Sequence, residues 1–296
     1  MRIALLGPVV KDKITVDRAT TVQVGGIPYY AGVALKNLGA DVTVFATYYS
    51  EDDAWVRKNF KYIEVVHIPA EQTIEFERVY SSENPDVCVS VVARYAKNRI
   101  EFSPELVRSL NSFNYVIFGP MFYNNISPHL FTAIHKGKIV LGNFGMFSYP
   151  KGESLVWKNP ENLIHVAPHL SYLFLNDKEI MFVAQKKSID EAARFMQTKT
   201  DAAIIVTLGS KGSVVFMNGG RYVISAFSPE KIIDPTGMGD TYLAAFIRAT
   251  NLYSSSVSQG TFAAMAATMK LERRGAFNGN IENVLTRLAG SGILLK

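Results

Sequence analysis

The chain has 296 residues, of which 48% are hydrophobic and 19% charged, a composition that excludes a disordered protein and allows one large folded domain. Its net charge of +5 suits anionic small molecules, and without a basic run or stripe we expect no nucleic-acid partner. The single cysteine, Cys88, excludes an internal disulfide, and no apolar stretch suggests a signal peptide or a membrane span, so we expect a cytoplasmic protein without a membrane partner.

The first predicted element is a buried strand over Arg2–Gly7, and Asp12 follows it five residues later. Open α/β sheets bind ligands outside the carboxyl ends of their strands, so Asp12 is a candidate ligand contact. The alternative is a solvated loop charge beside Lys11 and Lys13. Residues Ile14–Val24 alternate loosely between apolar and polar, which suggests a pair of short exposed strands.

Two adjacent glycines, Gly25 and Gly26, precede the first predicted helix, with Pro28 at its start and Gly39 at its end. Its apolar residues follow the spacing of an amphipathic helix: Ala31, Ala34, Leu35 and Leu38. Glycines before a helix let a ligand approach the backbone closely, but a simple turn and cap explains them equally well.

Several strands then follow one another without helices of the usual length between them. They are predicted over Thr73–Tyr80, Val87–Tyr95 and Arg99–Phe102, with a hairpin turn at Ser81–Asp86. We interpret about 12–24 and 73–102 as a small β-sheet lid, an insertion within a single domain of residues 1–296. Such a lid would exclude water from a reaction beneath it. Phe76, Arg78 and Tyr80 are candidates to face the molecule that it covers.

Beyond this insertion, strands and helices alternate. The predicted strands are Tyr115–Gly119, Lys138–Phe144, Ser171–Asn176 and Ala202–Leu208, and the predicted helices include Pro128–His135, Asn159–His165 and Ile281–Leu288. A hairpin is predicted from Ser213–Met217 and Tyr222–Ser225 around Asn218-Gly219. Alternation of this kind predicts βαβ units, so we expect an α/β domain of doubly wound type with a mostly parallel central sheet.

The stretch Asp234-Pro-Thr-Gly-Met-Gly-Asp240 directly precedes a predicted helix. A glycine-rich turn that begins a helix directs unpartnered N–H groups one way, and together with the helix dipole they form an anion site. A carboxylate there would compete with a bound phosphate, unless its role is to take a proton from an attacking hydroxyl. Asp240 is therefore a candidate general base; the alternative is a first-turn acid that only favours the dipole.

Asp234–Asp240 resembles the signature Asp-Thr-Thr-Gly-Ala-Gly-Asp of the ribokinase-like (PfkB) carbohydrate kinase family, with departures at Pro235 and Met238. Residues 25–39 resemble a second family motif, Gly-Gly-x-Pro-x-Asn-x-Ala…Leu-x-x-Leu-Gly, with Tyr30 in place of the Asn. The resemblance extends over essentially the whole chain. It implies a ribokinase-like three-layer α/β/α domain with a small β-sheet lid.

The resemblance also implies roles for individual residues. Catalysis falls on the base Asp240 and on the amides of Gly237, Met238 and Gly239. The acceptor would be bound by Asp12, Gly25, Gly26 and Tyr30, and the nucleotide by Asn176, Thr207, Gly209, Gly212 and Gly275. Glu179 would hold magnesium through water, although Asn176 and Glu179 are also spaced as a helix capping box.

The implied activity is that of an ATP-dependent kinase, a phosphotransferase that acts on a hydroxyl of a sugar, an inositol or other polyol, or a nucleoside. ATP and magnesium are the implied cofactors, and activation by a monovalent cation is left open. Tyr30 argues against a simple furanose or hexose, and the Tyr29-Tyr30 pair resembles the inositol-kinase-like branch. The alternative function is a catalytically inactive nucleotide- or sugar-binding regulator, against which Asp240 argues. A homodimer through exposed lid strands is a further hypothesis.

Overall fold

The computed structural model describes residues 1–81, 83–94, 97–142 and 144–295, and the side chains of 85–87, 89–93 and 144 are outside this description. The strands are β1 Arg2–Pro8, β2 Val10–Val16, β3 Ala19–Gly25, β4 Asp41–Tyr49, β5 Glu64–Ala70, β6 Ile74–Ser81, β7 Asn84–Arg94, β8 Tyr115–Phe118, β9 Lys138–Gly142, β10 Ser148–Lys151, β11 Ser154–Trp157, β12 Tyr172–Asn176, β13 Ala203–Thr207, β14 Ser213–Met217 and β15 Gly220–Ile224. The helices are α1 Ile27–Asn37, α2 Asp53–Asn59, α3 Pro104–Leu110, α4 His129–Ala133, α5 Glu161–Val166, α6 Asp177–Ala184, α7 Ile189–Gln197, α8 Met238–Ala249, α9 Ser256–Leu271 and α10 Ile281–Gly290.

A large sheet forms the middle of the molecule. Within the described ranges it has nine strands in the order β15-β14-β13-β12-β9-β8-β1-β4-β5. The strands from β13 to β5 are parallel to their neighbours, and β14 and β15 add an antiparallel hairpin at one edge. The predicted mostly parallel sheet is therefore confirmed.

Helices cover both faces of this sheet. Along β1, Ile3 and Leu5 belong to one hydrophobic core, whereas Ala4 and Leu6 belong to the other, as expected for side chains that alternate across a strand. The first core includes residues of α1, α8, α9 and α10, and the second includes residues of α4 to α7. This arrangement confirms the predicted three-layer α/β/α domain.

The chain adds strands to the large sheet on both sides of β1, so the strand order has a switch point there. From β1 the chain continues outward through β4 and β5 on one side, and through β8, β9, β12 and β13 on the other. The backbone is tightly packed here, because a Cβ at Gly7 would meet the carbonyl of Gly119 and one at Gly119 would meet the side chain of Ile27. Ligands of open α/β sheets bind at such switch points, which makes this end of the sheet the candidate site.

A second sheet has the strand order β3-β2-β6-β7 and occupies residues 10–25 and 74–94. Strands β2 and β6 are parallel, and the outer pairs are antiparallel. The predicted strands of the lid are present, but the predicted run Arg99–Phe102 is wrong as a third strand. Its residue Ile100 forms an isolated bridge with Ile126 instead, because a four-residue run with only two apolar residues is too short to specify a sheet partner.

Several other boundaries differ from the predicted ones. Ser82 of the predicted turn, Tyr95 of the predicted strand and Asn143 of the strand predicted to end at Phe144 are outside the described residues. The hairpin turn at Asn218-Gly219 is confirmed, with φ of 52° and 73° at the two residues as a type I′ turn requires. The sequence patterns did not predict β5, α3, β10 or β11. Strand β5 is at the sheet edge and only partly buried, so it carries no clear alternation.

Helix α9 is the most enclosed helix near the candidate site. Of its 16 residues nearly all are buried, including Lys270 at its C-terminal end. The carbonyl of Leu271 accepts hydrogen bonds from the N–H groups of Ile233 (2.9 Å) and Asp234 (3.2 Å), which fixes the loop before α8 to the end of α9. No helix in the described part of the chain combines the length and apolarity that crossing a bilayer requires.

The core prediction concerns Phe246 of α8, which is fully buried and packs its ring 5.7 Å from that of Phe174. Phe246→Ala should lower the free energy of unfolding by about 3–5 kcal/mol, because it leaves a cavity between helix and sheet. Urea denaturation measures this. The matched control, Tyr62→Ala, removes a ring that is 90% exposed and should change stability by less than about 0.5 kcal/mol. Equal effects of the two changes would contradict this packing.

Candidate active site

The turn before α8 depends on Gly237. This residue is the N-cap of α8 with φ 78° and ψ 10°, a left-handed conformation that glycine adopts without steric cost. A Cβ at Gly237 would also collide with the ring of Tyr30. The helix begins at Met238, so the amides of Gly239 and Asp240 have no carbonyl of their own helix to bond. Of the predicted donors, the Met238 N–H donates to the carbonyl of Pro235 at 3.4 Å. The phosphate-binding role of the Gly237, Met238 and Gly239 amides stays a prediction.

Gly239 has a different environment from Gly237. Its φ is outside the left-handed region, and an added Cβ would meet no atom within 4 Å. Packing within the protein therefore does not require a glycine at this position. Open space in front of an unpartnered amide is what a bound phosphate needs, since only a glycine lets it come close to the backbone.

Asp240 is in the first turn of α8 and remains partly exposed. Burial of its surroundings raises the pKa of its carboxyl to about 7; Arg78 opposes this shift, Asp12 adds to it and Lys270 opposes it. These three side chains come from three separate segments of the chain, and the fold brings their charges together around the Asp240 carboxylate. The residue is thus partly accessible to solvent, and its role as a base stays a prediction.

Asp12 is in the middle of β2, between Gln23 of β3 and Phe76 of β6. It is only 1% exposed, so the alternative of a solvated loop charge is wrong. Burial raises the pKa of its carboxyl, which Arg78 opposes from 3.5 Å between Nη1 and Oδ1. Within the described residues, Oδ1 accepts no hydrogen bond. A buried oxygen without a donor can accept one from a ligand hydroxyl.

Gly25 and Gly26 have reasons for being glycine within the protein itself. A Cβ at Gly25 would collide with the carboxylate of Asp12, so this glycine makes room for the buried acid. Gly26 has φ 90°, and its Cβ would press on the carbonyl of Pro8. Gly25 thus lies beside Asp12, and the predicted contact of both glycines with an acceptor stays a prediction.

Tyr30 lies behind the turn that begins α8. It is 1% exposed, its ring covers Gly237, and its Oη accepts a hydrogen bond of 2.9 Å from Gln23 Nε2. Burial, followed by the charges of Asp12 and Asp234, raises the pKa of its hydroxyl well above the usual value, so the side chain is neutral. The structure therefore makes Tyr30 a support of the turn.

The residues predicted to bind nucleotide are at strand ends of the large sheet. Asn176 and Thr207 face each other in register at the carboxyl ends of β12 and β13. The turn after β13 contains Gly209 and Gly212, with φ of 60° and 92°. Gly275, with φ 72°, lies beside α1. The first four thus form one group at the end of the sheet where ligands are expected.

Glu179 forms the capping box that its spacing predicts. Asn176 N–H donates to Glu179 Oε2 at 2.8 Å, and Glu179 N–H donates to Asn176 Oδ1 at 2.9 Å. Burial raises the pKa of Glu179 to about 7, and the charge of Asp240 contributes to this shift, so the two carboxyls lie close enough to interact. In the part of the chain that the structure describes, no group of three or more metal-binding side chains is present. The magnesium role of Glu179 stays a prediction.

Sequence patterns gave no role to Gln23, Asp234 or Lys270, which hold the site together. Gln23 Nε2 donates to Asp234 Oδ2 at 3.2 Å, and Lys270 Nζ is 3.3 Å from the same oxygen. Asp234 is the first residue of the glycine-rich motif, which could have drawn attention to it. The sequence also contains a clue to Lys270, because it is a charged residue next to the apolar face of α9.

A comparison against known families identifies the family of this chain. The family model of the pfkB carbohydrate kinases matches residues 13–283. The chain belongs to the pfkB family of carbohydrate kinases. Membership confirms the resemblance that the two glycine-rich motifs indicated. The matched range contains every predicted site residue of this kinase-family chain except Asp12.

Individual relatives in the pfkB family cover parts of the chain. The nucleoside kinase of Methanocaldococcus jannaschii is 30% identical over 144 residues, which are 47% of this chain and 44% of that protein, so the chain spans less than half of this relative. Arabidopsis thaliana ribokinase complexed with ribose and ATP has a TM-score of 0.74 at 18% identity, over 97% of this chain and 98% of that chain. A pyrophosphate-dependent kinase complexed with a pyrophosphate analog and myo-inositol has a TM-score of 0.76 at 22% identity, over 93% and 97%. These structures show the ribokinase-like fold.

The raised pKa of Asp240 predicts how stability depends on pH. Between about pH 4 and pH 7 the folded protein keeps a proton that the unfolded chain releases, so the free energy of unfolding falls as pH rises through this range. Asp240→Asn removes that fall and should be more stable than wild type by about 2 kcal/mol at pH 8, with the difference disappearing near pH 4. Urea denaturation at both pH values measures this, with the exposed Asp201→Asn as control. An Asp240→Asn advantage that is independent of pH would contradict the raised pKa.

Proposed function

We propose that this protein is a kinase that transfers the γ-phosphoryl group of ATP to a hydroxyl of a small polyhydroxylated acceptor. The observation that carries the proposal is the position of Asp240, a partly exposed carboxylate with a pKa of about 7 in the first turn of α8. A base is most effective when its pKa is near the working pH. The carboxylate can take the proton of the attacking hydroxyl. The unpartnered amides beside it can bind the oxygens of the phosphoryl group.

The chemical step follows from these positions. Asp240 accepts the proton of the acceptor hydroxyl, the hydroxyl oxygen bonds to the γ-phosphorus, and the bond from that phosphorus to the bridging oxygen breaks, which releases ADP. The amides of the Gly237–Gly239 turn and the α8 dipole stabilise the negative charge on the transferred group. Magnesium, when bound, neutralises the phosphate oxygens. Glu179 would hold it through water, since its capping bond leaves lone pairs free.

The acceptor side of the pocket is carried by the small sheet. Asp12 Oδ1, which accepts no hydrogen bond in the described residues, accepts one from a hydroxyl of the acceptor, and Arg78 favours the charged form of this buried carboxyl against the effect of burial. Since Asp12 and Arg78 are both in the small sheet, its position over the large sheet determines whether the acceptor meets Asp240, which supports its role as a lid. A homodimer through its edge strands and a cytosolic location stay predictions.

Among acceptors we place nucleosides first. The curated relative with 30% identity is a nucleoside kinase, and the ribose hydroxyls of a nucleoside suit the buried Asp12. Myo-inositol and ribose come next, because structures of similar fold are complexed with them. ATP as donor is supported by the ATP complex of the Arabidopsis ribokinase, and pyrophosphate is the donor to compare with it.

The proposed function is tested by measuring ADP release from wild type and Asp240→Asn with a panel of nucleosides, pentoses, hexoses and inositols. Wild type should phosphorylate at least one member, with kcat/KM rising toward high pH through an apparent pKa near 7 that reflects the coupled Asp240 and Glu179. Asp240→Asn should still bind ATP and lose about 10²–10⁴-fold in kcat. A wild type that binds ATP and acceptors without turnover would favour the regulatory protein instead.

A second prediction tests the open space at Gly239. Gly239→Ala should fold normally, since its Cβ meets no protein atom within 4 Å, but the methyl group should obstruct the phosphate and reduce kcat/KM for ATP by about 10²-fold or more. Gly290→Ala is the matched control, because it also lies in a helix with no atom within 4 Å and is remote in sequence from every site residue. Thermal unfolding and steady-state kinetics measure both variants. Normal kinetics in Gly239→Ala would reject the phosphate site.

A further inference from the structure

Lys270 is a completely buried lysine near the C-terminal end of α9. Its Nζ is 2.8 Å from the carbonyl oxygen of Asp234, 3.3 Å from Asp234 Oδ2 and 3.3 Å from the carbonyl oxygen of Arg273. We call these three oxygens the oxygen cage. An ammonium group is costly to bury unless it is paired and hydrogen-bonded, so the cage is what allows this charge inside the protein.

The composition of the oxygen cage favours the charged form of Lys270: burial lowers the pKa of the ammonium group, and Asp234 opposes this shift. A protonated lysine has three N–H donors and no acceptor, which corresponds to the three oxygens around Nζ. A neutral amine has only two N–H donors, so its lone pair would face one of the three oxygens and repel it. Two backbone carbonyls and a carboxylate are also ligands that can replace the hydration shell of an alkali cation such as K⁺.

The oxygen cage adjoins the phosphate-binding turn. Asp234, which supplies two of its oxygens, accepts the N–H of Thr236 on Oδ1 at 2.9 Å, and Gly237 follows directly as the N-cap of α8. The same carboxylate accepts a hydrogen bond from Gln23 in the small sheet. Lys270 therefore holds the residue from which both the turn and the contact to the small sheet are fixed.

We infer that Lys270 is a built-in cation: its ammonium group positions the turn before α8 and supplies positive charge behind the phosphate-binding amides, so that the protein needs no free monovalent cation. The inference rests on the proposed kinase function for its catalytic consequence. A monovalent cation, which the family resemblance left open as an activator, does not fit the oxygen cage, because Lys270 Nζ already contacts all three oxygens. Lys270 is in this sense a positioning residue.

The first test uses the wild-type protein in KCl, NaCl and tetramethylammonium chloride at equal ionic strength. Turnover should differ by less than about twofold among the salts, and the thermal unfolding temperature should show no K⁺-specific rise, because a filled cage cannot bind another cation. A larger K⁺-specific activation or a K⁺-specific rise in unfolding temperature would overturn the inference.

The second test compares two variants that differ in the space they leave. Lys270→Ala empties the oxygen cage, whereas Lys270→Met removes the charge and keeps the cage filled. In tetramethylammonium chloride both should lose about 10²-fold in kcat, with a smaller change in KM for the acceptor. In KCl or ammonium chloride Lys270→Ala should recover at least about tenfold and Lys270→Met should not. Lys187→Ala, at an exposed position, is the control for the loss of one charge.

A readout without turnover separates this inference from the proposed function. The unfolding temperature of Lys270→Ala should rise in KCl relative to tetramethylammonium chloride, since a cation that binds only the folded state stabilises it. If wild type phosphorylates no acceptor, the kinase proposal fails while this result still tests the cage. Equal unfolding temperatures of Lys270→Ala in all salts would overturn the inference. If Lys270→Ala does not fold, the wild-type comparison decides.

Discussion

The buried ion pair between Asp234 and Lys270 joins three parts of the molecule that are far apart in the chain. Asp234 receives hydrogen bonds from the turn before α8 through Thr236 and from the small sheet through Gln23, while Lys270 comes from the end of α9. Removing one partner of such a pair leaves an uncompensated charge in the interior, which is strongly destabilising. The geometry of the phosphate-binding turn thus depends on a carboxylate that is itself 2% exposed.

The charges around Asp240 are balanced in a way that suits a base. Burial and the charge of Asp12 stabilise its protonated form, whereas Arg78 and Lys270 stabilise its carboxylate. The balance brings its pKa to about 7, near neutral pH. The pKa of Asp240 is therefore set by burial first and then by charges from three other parts of the chain.

The two sheets divide the site between them. The large sheet and its helices carry Asp240, Asn176 and Thr207, which are the residues proposed to act on the phosphates. The small sheet carries Asp12 and Arg78, which are proposed to meet the acceptor. Since the two sheets share no strand among the described residues, the proposed reacting groups would lie on separate sheets, and closure of one over the other would control access of water.

The sequence by itself determined the parallel α/β fold and the turn from Asp234 to Asp240, because strand–helix alternation and the left-handed glycine at the start of α8 are local properties. Edge strand β5, with little burial, had no pattern to find. The meeting of Asp12, Arg78 and Lys270 around Asp240 was decided only by the tertiary structure. A buried charge is stable through partners that are distant in sequence, and strand pairing and helix packing determine which partners it meets.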